Sequence, residues 1–500
     1  MRHLATCAAL AGLVAPPLAG QSVAGEGAPR FEPVAGPLAE HVYSGGWEHF
    51  VGGGVAVLDC DGDALPELFA AGGEAPAALF LNQGGMDFVP GALPDLKGVT
   101  GAYPLHLDQD GTLDLYVMRV GPDLALLGDG ACGFRDGTAE IGLPTSEQWS
   151  TAFTAWWEPG DDRPTLAVGH YVDRSDPEGP FEACDSNTIL RPGPNGYTAE
   201  VLAPGFCPLS MLAAQDWRGR PTLRISNDRH YYVRGGAEQM WDIAERRFLT
   251  EADGWDGPML WGMGIAARDL TGDGRDEVML TSMGDQLLQI AGPEGYSAAP
   301  YGIGTYATRP FTGGDGRPST GWHAEFGDVD NDGRDDLFIA KGNVDQMPGM
   351  AMQDPNNLLM QGADGSFSEA AGAAGVAGLE RSRGAALADL DGDGRRDLVV
   401  VNRRAGMELY RNVTPEAGNW LTLALDQRGA NPRAVGARIR VAGREQEVTI
   451  GGGHAGGSAL PLHWGLGEAM EAEVSVTWPD GTVFPPVTLK ANRAHRLIRE

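Results

Sequence analysis

In the stretch FGDVDNDGRDDLFIAKG, Phe326 to Gly342, acids occupy alternate positions and then give way abruptly to an apolar run. Asp328, Asp330 and Asp332 are followed by Gly333 and Asp336, which is how a calcium loop opens. An EF-hand also requires flanking helices and a bidentate Glu at loop position 12. Position 12 here is Ile339, within Leu337-Phe338-Ile339-Ala340, a run that reads as a buried strand. The pattern returns as DCDGDALPE from Asp59, HLDQDGTLD from His106, DLTGDGRDE from Asp269 and DLDGDGRRD from Asp389. In all five copies loop positions 10 to 12 are apolar, so each loop leads into a strand buried on both faces. A chain punctuated in this way folds as a repeat of short strands.

The segments before the loops are short and rich in small residues, as in GGGVAVL (52–58), GMGIAAR (262–268) and RGAALA (383–388). Such strands suit crowding around a common axis. A third strand and a turn follow each pair, as in AALFLNQGGMDF and NLLMQGADGSF. Three or four strands per unit make the blade of a β-propeller. The 74 glycines, about twice the usual share of roughly 7%, agree with many tight turns. Two further units complete the spacing: DWRGRPTLRIS from Asp216, where Arg218 and Arg220 replace acids, and EPGDDRPTLAVGHYV near 158–172. The reading is all-β, a propeller of seven blades, five of them with acidic loops. A closed ring leaves no exposed sheet edge.

GWHAEFGDVDNDGRDDLFIAKGNVD and SRGAALADLDGDGRRDLVVVN…LYRN resemble the FG-GAP/VCBS repeats of integrin-α-type propellers, over residues 45–413. More narrowly they resemble the cartilage acidic protein family. After LYRNVTPEAGNW the repeat stops, and residues 419–500 alternate with period two in WLTLAL, ARIRVAG, AEVSVTW and PVTLK, a small all-β domain. NWL…VGARIRV…GGGHAGGS…LHWGLGEA…VSVTWPDGT resembles the ASPIC/UnbV domain, which follows the propeller in that family. The glycine run Gly451 to Gly457 lacks the Gly-Lys-Ser/Thr ending of a phosphate loop and reads as a mobile turn between strands.

Calcium takes six to eight oxygens, and side chains at positions 1, 3 and 5 of a coiled loop point inward together, with a carbonyl at 7 and an acid at 9. In the loop from 328 these are Asp328, Asp330, Asp332, the Arg334 carbonyl and Asp336. In the loop from 389 they are Asp389, Asp391, Asp393, the Arg395 carbonyl and Asp397. The loop from 59 offers Asp59, Asp61, Asp63, Leu65 and Glu67, with Ala64 where others have glycine. The loop from 269 offers Asp269, Thr271, Asp273, Arg275 and Glu277. The loop from 106 offers Asp108, Asp110, Thr112 and Asp114, but His106 at its head is a poor ligand for a hard ion, so this site is expected to be the weakest or empty. Four to five calcium ions are expected, in a structural role, each pinning the turn between two strands.

The formal charge of −31 argues against nucleic acid and anionic membranes as partners. MRHLATCAALAGLVAPPLAG reads as a secretory signal peptide within residues 1–24, cleaved after Ala19 or Ala24, and implies a periplasmic or extracellular protein without an integral membrane segment. Of the remaining cysteines, Cys184 and Cys207 bracket an irregular loop and are a candidate disulfide; Cys60 and Cys132 either pair or stay as buried thiols.

No GxSxG, HExxH, CxxC or CxxCH motif is present. His49 and His323 lie near the starts of inner strands and could face the channel, as could Arg381 and Arg383, whose simpler role is pairing with loop acids. Trp156 and Trp157 read as core between blades. Two functions compete: an exported calcium-stabilised adhesion or interaction module with a protein or glycan partner, and a calcium-dependent propeller enzyme acting on polysaccharide or phosphoester at the channel mouth.

Overall fold

The computed structural model describes residues 28–176, 183–228, 236–306 and 317–500. The signal-peptide segment lies outside them. The chain is built almost entirely of β-strands. Seven four-stranded antiparallel sheets come first. Their innermost strands are Val55–Leu58, Val99–Leu105, Ser150–Trp156, Pro208–Gln215, Gly262–Arg268, Gly321–Gly327 and Arg381–Ala388, and these head blades 1 to 7. Each neighbours the next, and the last returns to the first, so the sheets form a closed ring. The seventh sheet is completed from the other end of the chain: Phe31–Pro33 pairs antiparallel with Glu408–Asn412.

The local causes are those of a propeller. The apolar runs after the acidic loops become second strands buried throughout, such as Asp336–Lys341 and Asp397–Arg403. Between blades the core is aliphatic and aromatic: Trp156 and Ile189 of blade 3 pack with Met211, Leu223 and Ile225 of blade 4. Cys60–Cys132 and Cys184–Cys207 both form disulfides, the first joining blade 1 to blade 2 and the second joining blade 3 to blade 4. Among the described residues no helix is long and apolar enough to cross a membrane.

The C-terminal strands form two further sheets. Leu462–Gly467, Asn419–Gln427 and Arg493–Arg499 make one, and Arg444–Glu447, Arg438–Val441, Glu471–Thr477 and Val483–Lys490 the other. They enclose a core of Leu421, Leu423, Ile439, Trp464, Val474 and Trp478.

The glycine run, expected as a mobile turn, is instead a buried plug in the channel of the propeller. Because the sheets stand radially, each innermost strand turns an unpaired edge toward the axis, and buried backbone groups need partners. Residues 450–458 supply them, bridging Ile450 to Ala155, Gly451 to Leu212, Gly453 to Ile265, Gly456 to Ala102 and Ser458 to Val57. Gly452 and Gly453 donate to the carbonyls of Met211 (2.7 Å) and Ile265 (2.6 Å). The approach is close enough to dictate glycine: a Cβ at Gly54 or Gly101 would sit on the Ala455 carbonyl oxygen, and one at Gly456 on that of Val55.

His454 sits at the centre of the plug. Its amide donates to His323 Nδ1 (3.0 Å), its Nε2 lies 3.3 Å from the Gly52 carbonyl, and its ring packs against Trp322. Arg383, fully buried, lies 4.0 Å over Trp322 and donates to the carbonyls of Phe50, Asn343 and Val344. It therefore caps backbone carbonyls and does not pair with a loop acid.

Two outcomes follow from this packing. Replacing both Cys184 and Cys207 by Ser, which opens a bridge spanning 23 residues, should cost roughly 3 kcal/mol in chemical denaturation by the loop-entropy relation; a loss far smaller would mean that packing alone holds this segment. Burial holds His454 neutral, its pKa lowered from 6.5 to about 3. Its contribution to stability is thus complete above the unfolded pKa of 6.5 and is lost as pH falls toward 3, because the unfolded chain takes up the proton first. His454→Gln should lower the melting temperature at neutral pH, and the gap from the parent should narrow on acidification; a gap independent of pH would contradict this placement.

Candidate metal centres

Each acidic loop is shaped by its own carboxylates; loops are named here by their first residue. In loop 328, Asp328 accepts from the amides of Asp332 (3.0 Å) and Gly333 (2.8 Å), and Asp332 accepts from the amide of Arg334 (2.9 Å). Asp336 takes the amide of Val329 on one oxygen and that of Gln361 on the other, both at 3.0 Å, tying the loop to its own strand and to the third. Loop 389 repeats this: Asp389 accepts from Gly394, Asp393 from Arg395, and Asp397 from Leu390 and Asn412. In loop 59 Asp59 accepts from Gly62 and Ala64, Asp63 from Leu65 and Glu67 from Cys60. In loop 269 the acceptors are Asp269, Asp273 and Glu277, and in loop 106 Asp108, Asp110 and Asp114. Side chains of this length bend the chain by bonding backbone two residues on, which is why the Asp-x-Asp-x-Asp spacing specifies the turn.

Three loops bring carboxylate oxygens within 4.8 Å of one another: Asp59, Asp61 and Glu67; Asp328, Asp330 and Asp332; Asp389, Asp391 and Asp397. These are acidic clusters able to hold a metal ion. Not every expected ligand joins its cluster. Asp63, Asp336 and Asp393 stand outside their clusters; Asp332, within its own, and Asp393 pair with the Arg334 and Arg395 side chains two residues on, Asp391 pairs with Arg411, and Asp273 pairs with Arg275. Asp336 is held by its two amides. Thr271 brings no carboxylate, and loop 269 forms no such cluster among the described residues. It does keep the Asp269 Oδ1 atom buried and without a hydrogen-bond partner, on a side chain 1% exposed. A buried carboxylate oxygen lacking a donor fits a hard cation.

The electrostatics point the same way. Burial pushes Glu67, Asp114 and Glu277 up to about 7, Asp389 to about 6 and Asp397 to about 8, and neighbouring carboxylates add to the effect. Asp328 and Asp336 are pushed well above the ordinary range by burial and then by nearby acids. Anions held in this way are costly unless a positive charge joins them. The acid-poor blade 4 supplies that charge covalently: Arg220, at the position of an acid elsewhere, pairs with Asp216 at 2.6 Å. In loop 106, His106 Nδ1 lies 2.6 Å from the Thr112 carbonyl, the very oxygen expected to face an ion.

One residue that the ligand pattern did not single out is Asn331, at position 4 of loop 328. Its backbone is left-handed (φ +57), where loops 59, 269 and 389 use Gly62, Gly272 and Gly392. Asn tolerates that conformation, and here it is almost wholly buried. Its Nδ2 donates to the Gly394 carbonyl of loop 389 (3.0 Å), while its Oδ1 accepts from His463 Nε2 (2.8 Å) and its carbonyl from the Gly467 amide (2.8 Å), both in the C-terminal domain. The face carrying the acidic loops is thus the face on which that domain rests.

Residues 328–400 match the FG-GAP-like repeat family, and residues 427–500 match the ASPIC and UnbV family. The chain joins a propeller of FG-GAP type to an ASPIC/UnbV domain. It has no match among curated proteins. Among solved structures it is similar to BBS1N in complex with ARL6DN, at 10% identity over 78% of this chain and 98% of that one, with a TM-score of 0.47. It is similar also to YCF48 bound to D1 peptide, at 11% identity over 78% and 98% with a TM-score of 0.39. A third is an arginine-to-alanine mutant of AofleA from Arthrobotrys oligospora, at 14% identity over 65% and 87% with a TM-score of 0.38.

His106→Asp removes the group that engages the Thr112 carbonyl and restores a leading carboxylate. Counting bound ions after equilibrium dialysis should show one more calcium per chain than the parent; an unchanged count would show that the head residue does not limit this loop.

Proposed function

We propose that this chain is an exported, calcium-binding interaction or adhesion module, with calcium as a structural element of the blade loops. The observation that carries the reading is the set of buried carboxylates, Asp328, Asp336, Asp397, Glu67 and Glu277, with half-buried Asp389, of which only Asp328 has a cationic side chain within 4 Å among the described residues, Arg444 at 3.9 Å. A divalent ion bound by the position-1, -3, -5 and -9 acids and the position-7 carbonyl would offset their desolvation and hold the turn between the first two strands of each blade. Because only the folded loop presents these oxygens together, binding stabilises the fold by linkage, about 2.7 kcal/mol per site when free ion is at 100 times its dissociation constant. Export is supported by the signal-peptide pattern and by two disulfides, which persist in oxidising compartments.

The partner is a protein or glycan. With the C-terminal domain seated on the acidic-loop face, the opposite face, where the second and third strands of each blade connect, is the one left to meet it. The enzymatic reading draws little from the residues that suggested it: His323 accepts from the plug, and Arg383 is buried over Trp322 against carbonyl oxygens.

Asp332→Ala tests the calcium reading. The variant should melt below the parent in calcium, and the difference between calcium and chelator should shrink; an unaltered difference would sink the proposal for loop 328.

A further inference from the structure

We infer that cation loading of loops 269, 328 and 389 latches the C-terminal domain onto the propeller, so that losing the cations lifts the domain and withdraws residues 450–458 from the channel. The inference rests on the calcium reading above and adds what the ions control.

The latch is built from the backbone of the loops themselves. The Gly418 amide donates to the Asp330 carbonyl and the Gly467 amide to that of Asn331, each at 2.8 Å. Asn331 then bonds His463 on one side and Gly394 of the next blade on the other. Trp420 lies so close to Gly394 that a Cβ there would fall on its indole ring. Arg438 donates to the Gly274 carbonyl at 2.9 Å, reaching the third loop. These acceptors and contacts occur at positions 3, 4 and 6, at or beside the proposed ligands, so their placement depends on the turn that the ion holds. Arg444 adds charge to the joint: its guanidinium lies 3.9 Å from both Asp328 and Asp335. Loops 59 and 106, by contrast, make no hydrogen bond to the C-terminal domain among the described residues.

With the loops emptied, the carboxylates of Asp328, Asp330 and Asp336 repel one another across a few ångströms, and relaxation of the turn displaces the carbonyls that the domain grips. The plug is held by its backbone bridges, by the His454 contacts and by the hydroxyls of Tyr103 and Thr154, which donate to the carbonyls of Gly452 and Ile450. Beneath the domain lies a chamber of about 710 Å³, lined by Leu212, Ile265, Glu325 and Leu387 of the propeller and by Thr422 and Val448 of the domain. Release of the latch widens this chamber. The short tether, residues 413–418, keeps the domain attached, so the motion is a lifting of the domain and not its loss.

Hydrogen exchange on the full chain, read alongside the number of bound calcium ions, decides the matter. Chelation should speed exchange of the Gly452 and Gly453 amides by roughly tenfold or more, as a local opening does, while Val400 in the blade 7 core stays protected. With calcium present, Asp330→Asn in loop 328 should reproduce that opening, whereas Asp63→Asn in loop 59 should lose an ion without it. Asn331→Gly, which removes the hub while keeping a residue suited to φ +57, should open the plug at an unchanged ion count. If ions bind but Gly452 and Gly453 exchange equally with and without them, the latch is wrong and the calcium reading stands. If Val400 opens in step with the plug, the chain unfolds as a whole and the latch is again wrong. If no ion binds, the calcium reading itself falls, and the latch with it.

Discussion

The inner edges of seven innermost strands, turned toward one axis, set the terms for this molecule. A ring of radial blades, contrary to the expectation from the sequence, leaves sheet edges in place: each innermost strand still faces the channel with unpaired amides and carbonyls. Water can satisfy such groups in an open channel. Here a glycine-rich excursion of the C-terminal domain does so for five blades, with bridges to Val57, Ala102, Ala155, Leu212 and Ile265. The absence of side chains at Gly54, Gly101 and Gly456 is what allows the strands and the plug to approach. Domain order, glycine content and channel filling are therefore one arrangement.

The acidic loops answer a different demand. A sharp connection between two fully buried strands needs backbone donors satisfied within a few residues, and Asp side chains at alternate positions meet that need. Their cost is an accumulation of negative charge in partly desolvated turns. Blade 4 resolves it with Arg220, and Arg334 and Arg395 moderate it in blades 6 and 7. Loop 106 substitutes a neutral histidine that closes on its own carbonyl. The same turn is thus stabilised in three ways within one ring.

Much of this was legible in the sequence. Five acidic loops followed by apolar runs disclosed the repeat, because a local pattern copied at intervals needs no knowledge of distant contacts. The composition change after Asn412 disclosed the second domain for the same reason. What stayed hidden were contacts made across the ring. Gly451 to Gly457 carry no side-chain signature that separates a buried plug from a mobile turn, since glycine serves both close approach and flexibility. Cys60 and Cys132 lie in different blades, and only the ring geometry sets the acidic loop of one beside the outer turn of the next. Asn331 carries no ligand signal at position 4; its own signal, an Asn where three sister loops have Gly, is readable only when left-handed backbone is recognised at that position.

The pairing of Phe31–Pro33 with Glu408–Asn412 has a consequence for how the molecule is made. The seventh blade cannot be finished until the chain has been synthesised through Asn412, so its outermost strand is made long before the strand with which it pairs. The plug comes later still. Because it enters and leaves by the same mouth, with Val448 and Leu462 both packed in the C-terminal domain, it can be seated after the ring has shut, with no need to thread a free end. This topology allows the order blades, clasp, then stopper.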